Sequence, residues 1–243
     1  AVHVMSLMKE VGLAVQHVHS KGVVHGDLKM LNVLRIGGRM SLVDMDAACV
    51  IGEYACSKFS SGVLPPECFH CLGDSTELEA FNSYWSDVRS ADGDLWRKVK
   101  PISAISGDGF VKTRKNIVVR CFQALSAAAG ECDGNGNGNG DGDGAGAGCG
   151  ELVAPAGLVR ADEAATKGLP YPLLKASITL DIWSFGAMLF TLCCGKTMLP
   201  CNRDDDLSDG PAALQAASWT DEELHTLIQT NVADRSFALA ADL

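Results

Sequence analysis

Residues 23–46 read Val-Val-His-Gly-Asp-Leu-Lys-Met-Leu-Asn-Val-Leu-Arg-Ile-Gly-Gly-Arg-Met-Ser-Leu-Val-Asp-Met-Asp. A short apolar run leads into His25-Gly26-Asp27, and Lys29 and Asn32 follow. A second apolar run, Met40 to Val43, ends on Asp44. The pattern predicts a loop followed by two short strands, with Gly37-Gly38 as the hairpin turn. The loop carries one carboxylate, Asp27, and the far strand ends on another, Asp44.

These residue types suit phosphoryl transfer, which needs in-line positioning and cancellation of negative charge but little covalent chemistry. Asp27 could accept or orient the proton of an attacking hydroxyl. Lys29 could reach the moving phosphate. Asn32 and Asp44 offer the hard oxygen ligands that magnesium prefers. Asn32 stands five residues after Asp27. At that spacing Asp-Leu-Lys-Met-Leu-Asn resembles the catalytic loop of eukaryotic protein kinases.

The resemblance continues in order along the chain. Asp44-Met45-Asp46 is similar to the metal-binding D-F-G, and Leu64-Pro65-Pro66-Glu67 to A-P-E. Asp181-Ile182-Trp183-Ser184-Phe185-Gly186 resembles the opening of the long buried helix of that family. Lys29, two residues after Asp27, resembles the Ser/Thr type. The resemblance implies an α+β, mainly α fold: the large, C-terminal lobe of a protein kinase. It implies transfer of the ATP γ-phosphate to a protein hydroxyl, with ATP and Mg2+ as cofactors. Asp27 would be the catalytic base and Lys29 its phosphate contact. Asn32 and Asp44 would hold the metal and, with Lys29, the nucleotide phosphates. Lys58-Phe59-Ser60-Ser61 resembles the substrate-docking loop, where Ser60 takes the place of a Thr that bonds the catalytic Asp and Lys; Ser61 is the alternative one residue on. His25, Glu67 and Asp181 would be structural, Asp181 by capping the backbone of the catalytic loop. The family also implies a helix after Pro65-Pro66-Glu67. Cys68-Phe69-His70-Cys71 falls there and lacks the second pair that a zinc site needs.

The departures carry expectations too. His25-Gly26-Asp27 lacks the Arg that partners a phosphorylated activation segment, so activity should not depend on phosphorylation there. Met45 should fill an apolar slot, and Asp46 stands where the family has a Gly. No Gly-rich loop, strand Lys or partner Glu precedes Ala1, so the chain reads as a fragment without the small lobe, binding nucleotide poorly by itself. Two other readings stand beside this one. A pseudokinase or scaffold would use residues 73–170 to bind a partner. A small-molecule phosphotransferase of the aminoglycoside or choline type would share the H-G-D loop, but not the docking segment that Pro65-Pro66-Glu67 implies.

Composition narrows the classes. A net charge of −10 over 243 residues argues against a nucleic-acid surface. The ten cysteines show no framework spacing and read as reduced thiols of an intracellular, cytoplasmic protein. Ile178 to Leu199 is apolar enough to suggest a membrane span, but Asp181 and Lys196 make it a buried helix. The partner expected is a protein substrate; the oligomeric state stays open.

Organisation follows from periodicity and punctuation. Residues 2–21 form a helix with Leu7, Val11, Ala14 and Val18 on one face, Met8 and Val15 alongside, stopped by Gly22. Residues 1–72 and 171–243 are the two parts of the lobe, and 73–170 an insert. Within the insert, Ile117-Val118-Val119 is strand-like, and residues 133–148 carry Gly at every second position, the composition of a tether. Asp133, Asn135 and Asn137 imitate a calcium loop, but its twelfth position is Gly144 rather than Glu. The long apolar helix stops at Gly195, a polar loop spans 202–209, and Thr220 with Glu223 forms a capping box for a helix to about Gln229. A further helix would begin at the chain's end.

Overall fold

The computed structural model describes residues 2–55, 58–107, 112–120 and 168–233. Helix α1 (Val2–Ser20) opens the chain. It buries Met8, Val11 and Val15, while Leu7 stays 37% exposed. These lie on the face read off the sequence, with Ala14 and Val18 half-buried; Leu7 alone departs from it. Leu7 and Met8 are both apolar, so the partners decide: Leu28, Val33, Met40, Leu42 and Met188 pack on the Met8 side. The helix ends at Ser20, and Gly22 N–H donates to the His19 carbonyl at 2.9 Å.

Strands β1 (Val23–Val24), β2 (Val33–Ile36), β3 (Arg39–Leu42) and β4 (Cys49–Val50) follow. β2 and β3 form the expected hairpin, Ile36 opposite Arg39, with Gly37 and Gly38 at φ 57° and 83°. Two successive positive φ angles make the turn whose twist matches that of paired strands. β1 pairs antiparallel with β4, Val23 with Val50 and Val24 with Cys49. That ladder closes residues 23–50 into one loop-and-hairpin unit.

After Pro65-Pro66-Glu67 the expected helix is absent. Pro66–Cys68 makes a single 3-10 turn, and β5 (Phe69–Leu72) follows. Helices α2 (Ser75–Tyr84), α3 (Ser86–Ala91) and α4 (Gly93–Val99) lead to β6 (Ile102–Ser106) and β7 (Thr113–Val119). β7 lies between β5 and β6, with Phe69 opposite Val119 and Ile102 opposite Ile117. Phe69 and Cys71 belong to a ladder because Val119 and Ile117 present a β-branched partner strand. A sheet thus crosses the boundary at residue 72.

Helix α5 (Ile178–Cys194) is the expected long apolar helix, ending at Gly195. Helices α6 (Gly210–Ala217) and α7 (Asp221–Ile228) follow, α7 with its capping box formed. One core joins Val24, Leu64, Phe69, Ile117, Leu180 and Ala213. A second is aromatic, built on Phe81, Trp85 and Tyr171 with Val118. The third lies between α1, the hairpin and α5. The architecture is α+β, helices around small antiparallel sheets. Among the described residues no helix is long and apolar enough to cross a membrane. The Gly-rich run 133–148, its calcium-like start and the helix expected at the chain's end lie outside the described residues.

Candidate functional site

The site is built from the loop between β1 and β2. Its backbone is held by Asp181 on α5, which is 1% exposed. Asp181 Oδ2 accepts the His25 N–H at 2.7 Å and Oδ1 the Gly26 N–H at 3.0 Å. His19 Nε2 donates to the same carboxylate at 2.8 Å. A buried carboxylate with three donors is stable where an unpartnered one would not be. The cap expected of Asp181 is present, and His19 is a partner that the sequence did not single out.

His25 is fully buried, and its Nε2 lies 3.0 Å from the Val43 carbonyl. A carbonyl only accepts, so Nε2 carries the proton and Nδ1 is left as an acceptor toward the Asp27 N–H, 3.4 Å away. The imidazole thereby links the loop to the end of β3. Gly26 has φ 79°, and a Cβ there would stand 2.4 Å from the Ala47 carbonyl oxygen. The loop's path leaves no room for a side chain at that position.

Asp27 is 6% exposed. Lys29 Nζ stands 3.3 Å from its Oδ2 and donates to Ser60 Oγ at 2.7 Å. Asn32 Nδ2 donates to the Asp27 carbonyl at 2.8 Å and reaches its Oδ2 at 3.4 Å. Asp27 Oδ1 is buried and has no hydrogen-bond partner among the described residues. Asp27, Lys29, Asn32 and Ser60 are thus brought into one cluster, 33 residues apart at its extremes. Ser61, the alternative to Ser60, turns away and bonds Asp206 instead.

Asp44 joins from the far strand. The Asn32 carbonyl accepts the Val43 N–H at 3.0 Å, which sets Asp44 beside Asn32. Asp44 itself adopts the left-handed conformation, φ 61°. Lys58 Nζ bridges Asp44 Oδ1 at 2.9 Å and Asp46 Oδ2 at 2.7 Å. The Lys58 hydrogen bond holds the Asp44 carboxyl below its ordinary value; slight burial opposes this, and the charges of Lys58 and Lys29 assist. Met45 does not fill an apolar slot but is 37% exposed. Glu67 stands apart from the cluster: it is exposed, and among the described residues its Oε1 meets Thr179 Oγ1, at 3.4 Å.

Asp44, Asp46 and Asn32 carry the hard oxygen atoms that magnesium takes. Lys58 Nζ sits on the Asp44 and Asp46 carboxylates, and Asn32 turns its Nδ2 to Asp27. Among the described residues no three His, Cys, Asp or Glu side chains are grouped to hold a metal. Magnesium does not require such a group, since phosphate and water oxygens complete its shell. A cavity of about 510 Å³ between α1 and α5, lined by Gly12, His19, Ile182 and Phe185, does not reach Asp27. Searches of family models, curated proteins and solved structures give no match to this chain.

Proposed function

We propose that this chain carries the phosphoryl-transfer site of a Ser/Thr protein kinase, in a fold of the large-lobe type. The observation that carries the reading is the orphaned Asp27 Oδ1, buried beside an ammonium and an amide. A buried carboxylate oxygen with no donor is costly unless a ligand supplies one. A substrate hydroxyl is such a donor. ATP with magnesium, when bound, supplies the phosphoryl group. Asp27 takes the proton of the attacking hydroxyl, as the new P–O bond forms and the bond to ADP breaks. Lys29, steadied by Ser60, offsets charge on the oxygens in transit. Asn32 and Asp44 would hold the metal, with Lys58 giving up its contact to Asp44 Oδ1. Asp181 keeps the loop in register without touching substrate.

The test is transfer of ³²P from γ-labelled ATP to a panel of basic, neutral and acidic proteins by the full-length gene product. Transfer should require magnesium, and Asp44→Asn should raise the magnesium needed for half-maximal rate about tenfold or more. No transfer to any of the panel, or transfer that survives chelation, overturns the reading.

A further inference from the structure

The loop after α5 carries Asp204, Asp205 and Asp206 in succession. It is tied to the segment that holds Ser60. Gly62 N–H donates to the Asp205 carbonyl at 2.8 Å, and Asp206 Oδ1 accepts the Ser61 N–H at 3.0 Å. The two loops touch at the backbone, since a Cβ on Gly62 would stand 2.7 Å from Asp205 O. Ser60, the neighbour of Ser61, receives Lys29 Nζ, so the acidic loop lies beside the Asp27–Lys29 pair.

The charges there do not balance. Asp206 is neutralised by Lys98. Asp205 is half-buried and has no ion-pair partner within 4.0 Å among the described residues. Burial pushes its carboxyl up; Lys29 pulls it down, and Asp27, Asp206 and Asp204 push it up again. Lys29 Nζ is taken up by Asp27 and Ser60 and does not come within 4.0 Å of the Asp205 carboxylate. The site lacks one cation at Asp205, and, independently, one hydrogen-bond donor at Asp27 Oδ1. A peptide with a hydroxyl residue close to a Lys or Arg would supply both.

We propose that Asp205 is a specificity-determining residue that takes the basic side chain of a peptide whose hydroxyl is presented to Asp27. The hydroxyl's fate rests on the phosphotransfer reading; the basic contact does not.

The test is binding, read by fluorescence polarisation with the full-length protein and two labelled seryl peptides that differ only by Arg in place of Gln beside the serine. The Arg peptide should bind about tenfold tighter at low salt. Asp205→Asn should bring the two within about twofold. Asn suits the left-handed backbone at 205, where φ is 60°. Asp205→Gly suits it equally and should act alike. Glu222→Gln, an equal change of net charge on α7, should keep the tenfold preference. Equal binding by the wild type, a preference that survives at position 205, or one that Glu222→Gln erases, overturns the proposal. If Asp27→Asn transfers phosphate like the wild type while the Asp205-dependent preference holds, the phosphotransfer reading fails and the peptide site stands.

Discussion

Gly26 shows how one residue constrains the site. Its φ of 79° and the Ala47 carbonyl only 2.4 Å from a would-be Cβ exclude any larger residue without rebuilding the loop. Gly26→Ala should cost about 2–3 kcal/mol in urea unfolding. Gly52→Ala has a similar φ, 90°, but open space around it, and should cost about 1 kcal/mol. Asp181→Ala strips two buried N–H groups and His19 of their acceptor, and should cost about 3 kcal/mol in the same melts. The Lys58 bridge sets a pH dependence. Asp44 is lowered from its ordinary 3.8, so its contribution is full above that pH and is lost as pH falls through the lower folded value. Lys58→Met should flatten that part of the acid-unfolding curve; an unchanged curve would show that the bridge contributes nothing. The sequence displays Asp27, Lys29 and Asn32 plainly because they lie within one turn of loop, where spacing is geometry. Ser60 is reachable by its offset from Pro66-Glu67. Lys58 and His19 are not, because their partners lie 12 to 162 positions away and nothing local marks the pairing; nor is Asp205, which meets the Ser60 segment through Gly62, 143 positions back.

At the level of elements, α1, the β2–β3 hairpin, α5 and the capped α7 follow from periodicity, glycines and a capping box. β5 does not. Phe-His-Cys-Leu is too short to show a period, and only Val119 and Ile117, some fifty residues on, make it a strand. The aromatic cluster is held by Phe81, whose ring lies 6.3 Å from both Trp85 and Trp96 and 6.4 Å from Tyr171. It is fully buried, and Phe81→Ala should cost about 3–5 kcal/mol by thermal or urea unfolding. A loss under about 1 kcal/mol would mean that this cluster is not part of the cooperative core.

Across the whole molecule, the three cores draw on both sides of the segment that composition sets apart. Val118 and Val119 of β7 serve two of them. Amide exchange should therefore be slowest at Asn116 and Ile117, where β7 is paired on both sides, and faster in β6 at the sheet's edge. The proposed function rests on one claim, that the buried Oδ1 of Asp27, unpartnered among the described residues, takes the proton of an incoming hydroxyl. The direct measurement is the rate of magnesium-dependent ³²P transfer by wild type and by Asp27→Asn in the full-length protein. The account predicts a fall of about a hundredfold or more for the variant, with folding intact. Equal rates would contradict it.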